Sequence, residues 1–233
     1  MTEGIAPGAP VACVGAGDVG RARAVVFVRA GHPVRLWDAD PAAVPRALPM
    51  IAATLADLSA AGLLAEAPEA VAARLAAAGS LAEAVADAAR VQESALEDLA
   101  VKRAVFAELD AATPPGAPVA SSTSALPASA FAADLPGAAR CLVAHPVNPP
   151  SLIRFVEICG HPGTDPAVID AALGFMRSLG MSPVHLRREI DGFLLNRLQY
   201  TLVAEALHLV GEGYCGPEDI EAVVRDGWRR AGC

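Results

Sequence analysis

Four polar residues are of types that could serve a reacting centre, a base with its carboxylate and two hydrogen-bonding side chains: Ser124 in SSTS, His145 in AHPVNPP, Glu157 in FVEI and Asn196 in DGFLLNRLQY. Each falls at the end of an expected strand or the start of an expected helix. In doubly wound folds, ligands gather beyond the carboxyl ends of the strands, where such residues collect. A single histidine is more often structural than catalytic. A histidine on one strand with a glutamate on its hairpin partner is more pointed. The carboxylate fixes the imidazole tautomer and raises its basicity, as a general base requires.

A second constellation precedes these residues. Gly15-Ala16-Gly17-Asp18-Val19-Gly20 fits G-x-G-x-x-G. The first glycine permits a tight turn, the second lets backbone approach a pyrophosphate, and the third lets helix and strand pack closely. The pattern alone is weak. Its setting strengthens it, because it follows the apolar run VACV (11–14) and opens a segment with Val19, Ala22, Val26 and Ala30 at helical spacing. A helix N-terminus there would offer free N–H groups to phosphates. Asp38 closes the next apolar run, VRLW, 18 residues after Gly20. A carboxylate at that point binds both ribose hydroxyls and repels a 2′-phosphate, which favours NAD over NADP. The alternative is that Asp38 caps the following helix.

These residues need a scaffold, and the pattern of the chain supplies one. Strand–turn–helix–strand over 11–37 forces a parallel crossover. Residues 40–90 read as alanine- and leucine-rich helices broken near 62–68 and at Gly79. A strand at about 89–92 follows, and Ser94-x-x-Glu97 reads as a capping box for a helix reaching about residue 110. Strands are expected at 118–121, 141–145, 153–158 and 183–186, a short helix from Pro127, and a longer one over 166–179. From Asp191 the character changes: Leu195, Leu198, Leu202, Ala206 and Leu209 follow steps of 3, 4, 4 and 3, an amphipathic helix. A second helix runs from Pro217 to about Arg225. The reading is a Rossmann-type α/β domain with a doubly wound, mostly parallel sheet over 1–188, then part of an all-helical domain over 189–233.

Composition narrows the function. The net charge of −8 argues against nucleic acid, whose phosphates need clustered Lys and Arg. No apolar stretch is long enough for a membrane span and the first ten residues lack a signal-peptide pattern, so a cytoplasmic protein is expected. The five cysteines are scattered without a C-x-x-C pair, as expected of reduced thiols, some filling small core positions. Cys159-x-His161 has no second ligand pair, so no metal site is expected.

Taken together, VGAGDVGRARA, LWDAD, VQESALEDLAVKRAVFAELD, SSTSALPAS, CLVAHPVNPP, FVEI and EIDGFLLNRLQYTLVAEALHLV resemble the 3-hydroxyacyl-CoA dehydrogenase superfamily. The branch containing lambda-crystallin and L-gulonate 3-dehydrogenase is most similar. The resemblance runs from about Val11 to Gly227. It implies that His145 takes the hydroxyl proton, that Glu157 orients it, and that Ser124 and Asn196 hydrogen-bond the substrate oxygen. It places Glu93 beside the nicotinamide ribose and matches Lys102 to a family lysine. The implied reaction is NAD-dependent oxidation of a 3-hydroxyl to the 3-oxo product.

A CoA thioester carries several phosphates, whereas 41–90 offers only Arg46, Arg74 and Arg90 among many acids. A small L-3-hydroxy acid of the gulonate type is therefore favoured, with a hydroxyacyl thioester a close competitor. Arg154 is either a receiver for a substrate carboxylate or an arginine on a solvated strand face. Family members continue past the equivalent of Gly227 with further helices. A shortened helical domain is thus expected, its apolar stripe covered by a second copy in a homodimer or partly exposed. The alternative is a truncated NAD-binding protein without dehydrogenase activity.

Overall fold

A computed structural model describes residues 5–228 and divides them into two compact units, one ending at Asp191 and the other beginning at Gly192. The first unit is built on one eight-stranded sheet. Its strands are β1 (Val11–Val14), β2 (Val34–Trp37), β3 (Leu75–Ala77), β4 (Arg90–Glu93), β5 (Val119–Ser121), β6 (Cys141–Pro146), β7 (Phe155–Gly160) and β8 (Ser182–Leu186). Their spatial order is β3-β2-β1-β4-β5-β6-β7-β8, and every pairing is parallel except β6 with β7. This is the expected Rossmann-type, doubly wound sheet. The chain leaves β1 toward β2 on one side and reaches β4 on the other, which opens a crevice beyond the carboxyl ends of β1 and β4.

The central strands are buried on both faces because helices cover both. Every residue of β1, β4, β5 and β6 is buried. Helix α1 (Asp18–Arg29) lays Ala24, Val25, Phe27 and Val28 into the core. Helix α2 (Ala43–Ala60) adds Ile51, Leu55 and Leu58 at helical spacing. Short helices α3 (Pro68–Ala72) and α4 (Leu81–Val85) flank β3, and α5 (Leu99–Ala112) buries Phe106 and Leu109. Beyond α6 (Ser129–Ala132) and β7, helix α7 (Pro166–Ser178) returns over the sheet, where Phe175 meets Phe27 with ring centroids 5.8 Å apart.

Four local expectations change. Residues 75–77 form an edge strand, pairing Val34 with Leu75, inside the stretch read as helical; alanine bias hid a three-residue element whose partner supplies its order. Ser94 and Glu97 do not cap α5. Asp98 does, its carboxylate accepting a hydrogen bond from Val101 N–H at 3.0 Å. The strand expected at 153–158 begins two residues later, because Leu152 and Ile153 N–H both bond to Pro149 O and close a turn. Arg90 belongs to a fully buried strand, not to a helical flank.

In the second unit, α8 (Phe193–Gly211) is followed by α9 (Pro217–Ala222) and a π-helical turn at Val223–Trp228. The expected stripe is half-buried at Leu195, Leu202, Ala206 and Leu209 and exposed at Leu198. Among the described residues no helix is long and apolar enough to cross a membrane, and no cluster of side chains could hold a metal ion.

Cys13, Cys141 and Cys159 are buried, whereas Cys215 is partly accessible. Burial pushes each of the three buried thiols up to about 12. Since the thiolate is the reactive form, alkylation of the native protein at mildly alkaline pH should label Cys215 first among these four. Peptide mass spectrometry should find the other three modified only after denaturation.

Candidate active site

The glycine loop between β1 and α1 is shaped by its neighbours. Gly15 has φ +101°, and a Cβ there would fall 2.5 Å from the Ser94 carbonyl oxygen. A Cβ on Gly20 would fall 1.9 Å from the Gly15 carbonyl oxygen. Gly17 differs: nothing lies within 4 Å of where its Cβ would stand. It is also the N-cap of α1 and makes no side-chain cap, so the first N–H groups of the helix face that open space. Two glycines serve packing and the third leaves room for a ligand.

That space is part of a cleft of about 580 Å³ walled by Gly15, Gly17, Trp37, Asp38, Ser94 and Leu96, among others. Asp38 is fixed at its edge: Oδ2 accepts from Ala16 N–H at 2.7 Å and Oδ1 from Asp40 N–H at 2.9 Å. It does not cap α2, whose first residue follows Ala42 with no side-chain cap. Asp18, also at the margin of this cleft, has its side chain 80% exposed and paired with Arg21. A loop open at Gly17, a helix N-terminus and a carboxylate at the end of β2 fit the pyrophosphate and adenosine ribose of a dinucleotide.

At the end of β4, Glu93 is wholly buried. Its Oε1 accepts from Lys102 Nζ at 2.7 Å and from Ala95 N–H at 2.5 Å, and its Oε2 from Ser121 Oγ at 2.6 Å. Lys102, 1% exposed, also donates to Ala95 O at 3.1 Å. The pair thus ties β4, β5 and α5 to the loop that floors the cleft. Glu97, read in the sequence only as part of a cap, emerges as a second organising carboxylate. Its Oε1 accepts from Thr123 Oγ1 at 2.5 Å and from the N–H groups of Ser124 and Ala125 at 2.9 and 3.1 Å, and its Oε2 lies 3.7 Å from Lys102 Nζ. No local signal could have shown this, since it depends on where the loop after β5 arrives. Ser124 stands exposed on that loop.

The antiparallel pairing of β6 and β7 sets His145 directly opposite Glu157. The two are buried, and His145 Nδ1 lies 2.8 Å from Glu157 Oε2. A carboxylate on Nδ1 holds the proton there and leaves the lone pair on Nε2. Helix α1 steadies this strand and the turn beyond it. Arg23 Nη2 donates to Ala144 O at 2.5 Å, and Arg29 Nη1 to Ser151 O at 3.0 Å. Burial lowers Arg23 to about 10 and Arg90 to about 9, the latter also under the charge of Arg23; both remain cationic at neutral pH. Arg154 is exposed and its charge bears on Arg29, which fits an arginine on a solvated face. Asn196 lies on the second unit, in the first turn of α8.

A Rossmann sheet with a glycine-loop cleft and a buried histidine–glutamate pair defines a dinucleotide-dependent site of the dehydrogenase type. The family follows from comparison: residues 10–190 match the model of the 3-hydroxyacyl-CoA dehydrogenase NAD binding domain and residues 192–232 that of its C-terminal domain, so the chain belongs to the 3-hydroxyacyl-CoA dehydrogenase family, whose cofactor is NAD. It is 43% identical to a lambda-crystallin homolog of Bos taurus over 224 residues, covering 95% of this chain and 70% of the relative. It is 43% identical to L-carnitine dehydrogenase of Streptomyces griseus over 217 residues, covering 93% and 64%. The crystal structure of 3-hydroxybutyryl-CoA dehydrogenase from Escherichia coli superimposes with a TM-score of 0.86 at 32% identity, covering 94% of this chain and 46% of that one.

Two stability experiments follow from this packing. Gly17→Ala should fold normally and weaken NAD binding, whereas Gly20→Ala should lose about 1–3 kcal/mol through overpacking; chemical denaturation and calorimetric NAD titration separate the two. Lys102→Met strands a buried carboxylate and should cost about 3–5 kcal/mol, more than the double change Glu93→Gln/Lys102→Met, which removes both charges. Urea melts of the two variants make the comparison.

Proposed function

We propose that the chain serves NAD-dependent oxidation of the 3-hydroxyl of a small L-3-hydroxy acid to the 3-oxo acid. The observation that carries the proposal is the buried His145–Glu157 contact of 2.8 Å at the end of β6, in the same unit as the glycine-loop cleft. In this reading Glu157 holds the His145 proton at Nδ1, and Nε2 takes the proton of the substrate hydroxyl. Bound NAD would supply the hydride acceptor. Ser124, on the loop clamped by Glu97, donates to the substrate oxygen as negative charge develops on it, and the family's second donor falls on Asn196. Glu93 and Lys102, both buried, act on the cofactor by holding the cleft floor.

Three arginines bear on the choice of substrate. Arg46 is paired with Asp40 at 2.6 Å, Arg74 is bidentate with Glu66 at 2.9 and 2.5 Å, and Arg90 is buried. Arg90 is out of reach and Arg74 is held by Glu66, which leaves the exposed Arg46, itself beside a carboxylate, as the one of the three open to a CoA phosphate; so sparse a positive charge favours a free acid over a thioester. The likeness to L-carnitine dehydrogenase agrees, since L-carnitine is itself a small 3-hydroxy acid.

NADH formation should be followed with L-carnitine, L-gulonate, L-3-hydroxybutyrate and 3-hydroxybutyryl-CoA. A free acid is expected to give the highest kcat/KM; a clear preference for the thioester overturns the substrate assignment. His145→Ala should lower turnover on the order of 10²–10⁴-fold with NAD affinity unchanged. No turnover with any of the four, despite NAD binding, would leave an NAD-binding protein without dehydrogenase activity.

A further inference from the structure

The glycine loop and Asp38 account for only part of the cleft wall. With a pyrophosphate over Gly17 and the adenosine ribose on Asp38, the base carried by that ribose has the remainder of the same cleft to occupy. That remainder is apolar up to its far end. Trp37, half-buried, lines it from the end of β2. Leu96 lines it from the turn after β4 and is 71% exposed. The turn is fastened where it stands. Ala95 N–H is bound to Glu93, Ala95 O accepts from Lys102 Nζ at 3.1 Å, and Leu96 O accepts from Asp98 N–H at 2.9 Å. An apolar side chain held bare in a cleft wall gains when a flat ring covers it.

Helix α5 supplies the third side. Val101, Val105 and Glu108 stand at i, i+4 and i+7, one stripe of the helix, and all three line the cleft. The valines are half-buried and Glu108 is exposed. Two other carboxylates line this cleft and both are engaged, Asp38 by the N–H groups of Ala16 and Asp40, and Asp18 by Arg21. Glu108 has no hydrogen bond or ion pair with any described residue. A carboxylate in the wall of a site for an anionic ligand opposes binding unless the ligand offers it a donor. The 6-amino group of adenine is such a donor, and an ionised carboxylate only accepts. Hypoxanthine carries a carbonyl oxygen at the same position, an acceptor facing an acceptor. We propose that Glu108 selects the base of the cofactor, its carboxylate accepting from the 6-amino group of an adenine held by Leu96, Val101 and Val105. This rests on NAD binding in the glycine-loop cleft and holds or fails independently of the oxidation proposed above.

The test compares the dissociation constants of NAD and of nicotinamide hypoxanthine dinucleotide, by titration calorimetry on the full chain. The unaltered protein should prefer NAD roughly 5- to 20-fold, the worth of one hydrogen bond to a charged group at an open site. Glu108→Gln puts an amide donor and an acceptor at the end of the stripe. It should bring the two constants to within about 2-fold of each other, because its NH₂ group answers the hypoxanthine oxygen. The ratio of the two constants is the deciding quantity. Removing a negative charge strengthens both cofactors alike through the long-range field, and that effect cancels in the ratio. The melting temperature of ligand-free Glu108→Gln should match that of the unaltered protein, since Glu108 is exposed and makes no bond that the fold uses. Equal affinity of the unaltered protein for the two cofactors overturns the proposal. So does a Glu108→Gln variant that keeps the full preference, even with both affinities raised, for Glu108 is then only a solvated charge at the rim. An unaltered protein that binds neither cofactor overturns the cofactor reading together with this one, and the absence of any binding heat tells that outcome from the other two.

Discussion

A carboxylate cannot sit fully desolvated without a counter-charge and hydrogen-bond donors on both oxygens, and Glu93 is the place where this rule shapes the molecule. Its donors come from three places in the chain, the end of β5, the turn after β4 and the first turns of α5, and Lys102 extends the group to Glu97. Each of them is also a wall or floor of the cleft or a support of the loop carrying Ser124. The crevice at the switch between β1 and β4 is therefore held open by an ion pair that itself takes no solvent. This divides labour clearly: the buried pair fixes backbone, and the half-exposed groups around it remain available to ligands.

A second constraint is directional. In a purely parallel sheet, two residues opposite each other on adjacent strands require a long crossover between them. Here β7 returns directly against β6, so twelve residues of chain suffice to bring Glu157 to His145. The reversal also places β7 in register with β8, which keeps the carboxylate strand in the sheet interior, where water is excluded from its contact with the imidazole.

Much of this was legible in the sequence wherever a local pattern carried it. The glycine spacing, the apolar run before it and Asp38 after it needed no tertiary information, and the antiparallel pairing of the His145 and Glu157 strands followed from the short proline-rich connection between them. What the sequence hid depended on distant partners. Ser94 and Glu97 have the spacing of a cap, yet Asp98 wins that role because both are drawn off by the loop after β5. Residues 75–77 look helical until β2 offers them an edge. Arg90 reads as a surface charge because no sequence rule says that strand β4 is covered on both faces.

The turn from Val147 to Arg154 joins the two strands of the histidine–glutamate pair, and its residues Asn148, Pro149, Ser151 and Leu152 also line a mostly apolar hollow of about 470 Å³ against α1 and α2. Its ends are anchored by the ladder and its middle by Arg29. The same few residues therefore close the hairpin that faces His145 with Glu157 and wall a separate hollow. A side chain exchanged at Asn148 or Pro149 is felt in two places at once, in the register of the pair and in the shape of the chamber against α1 and α2.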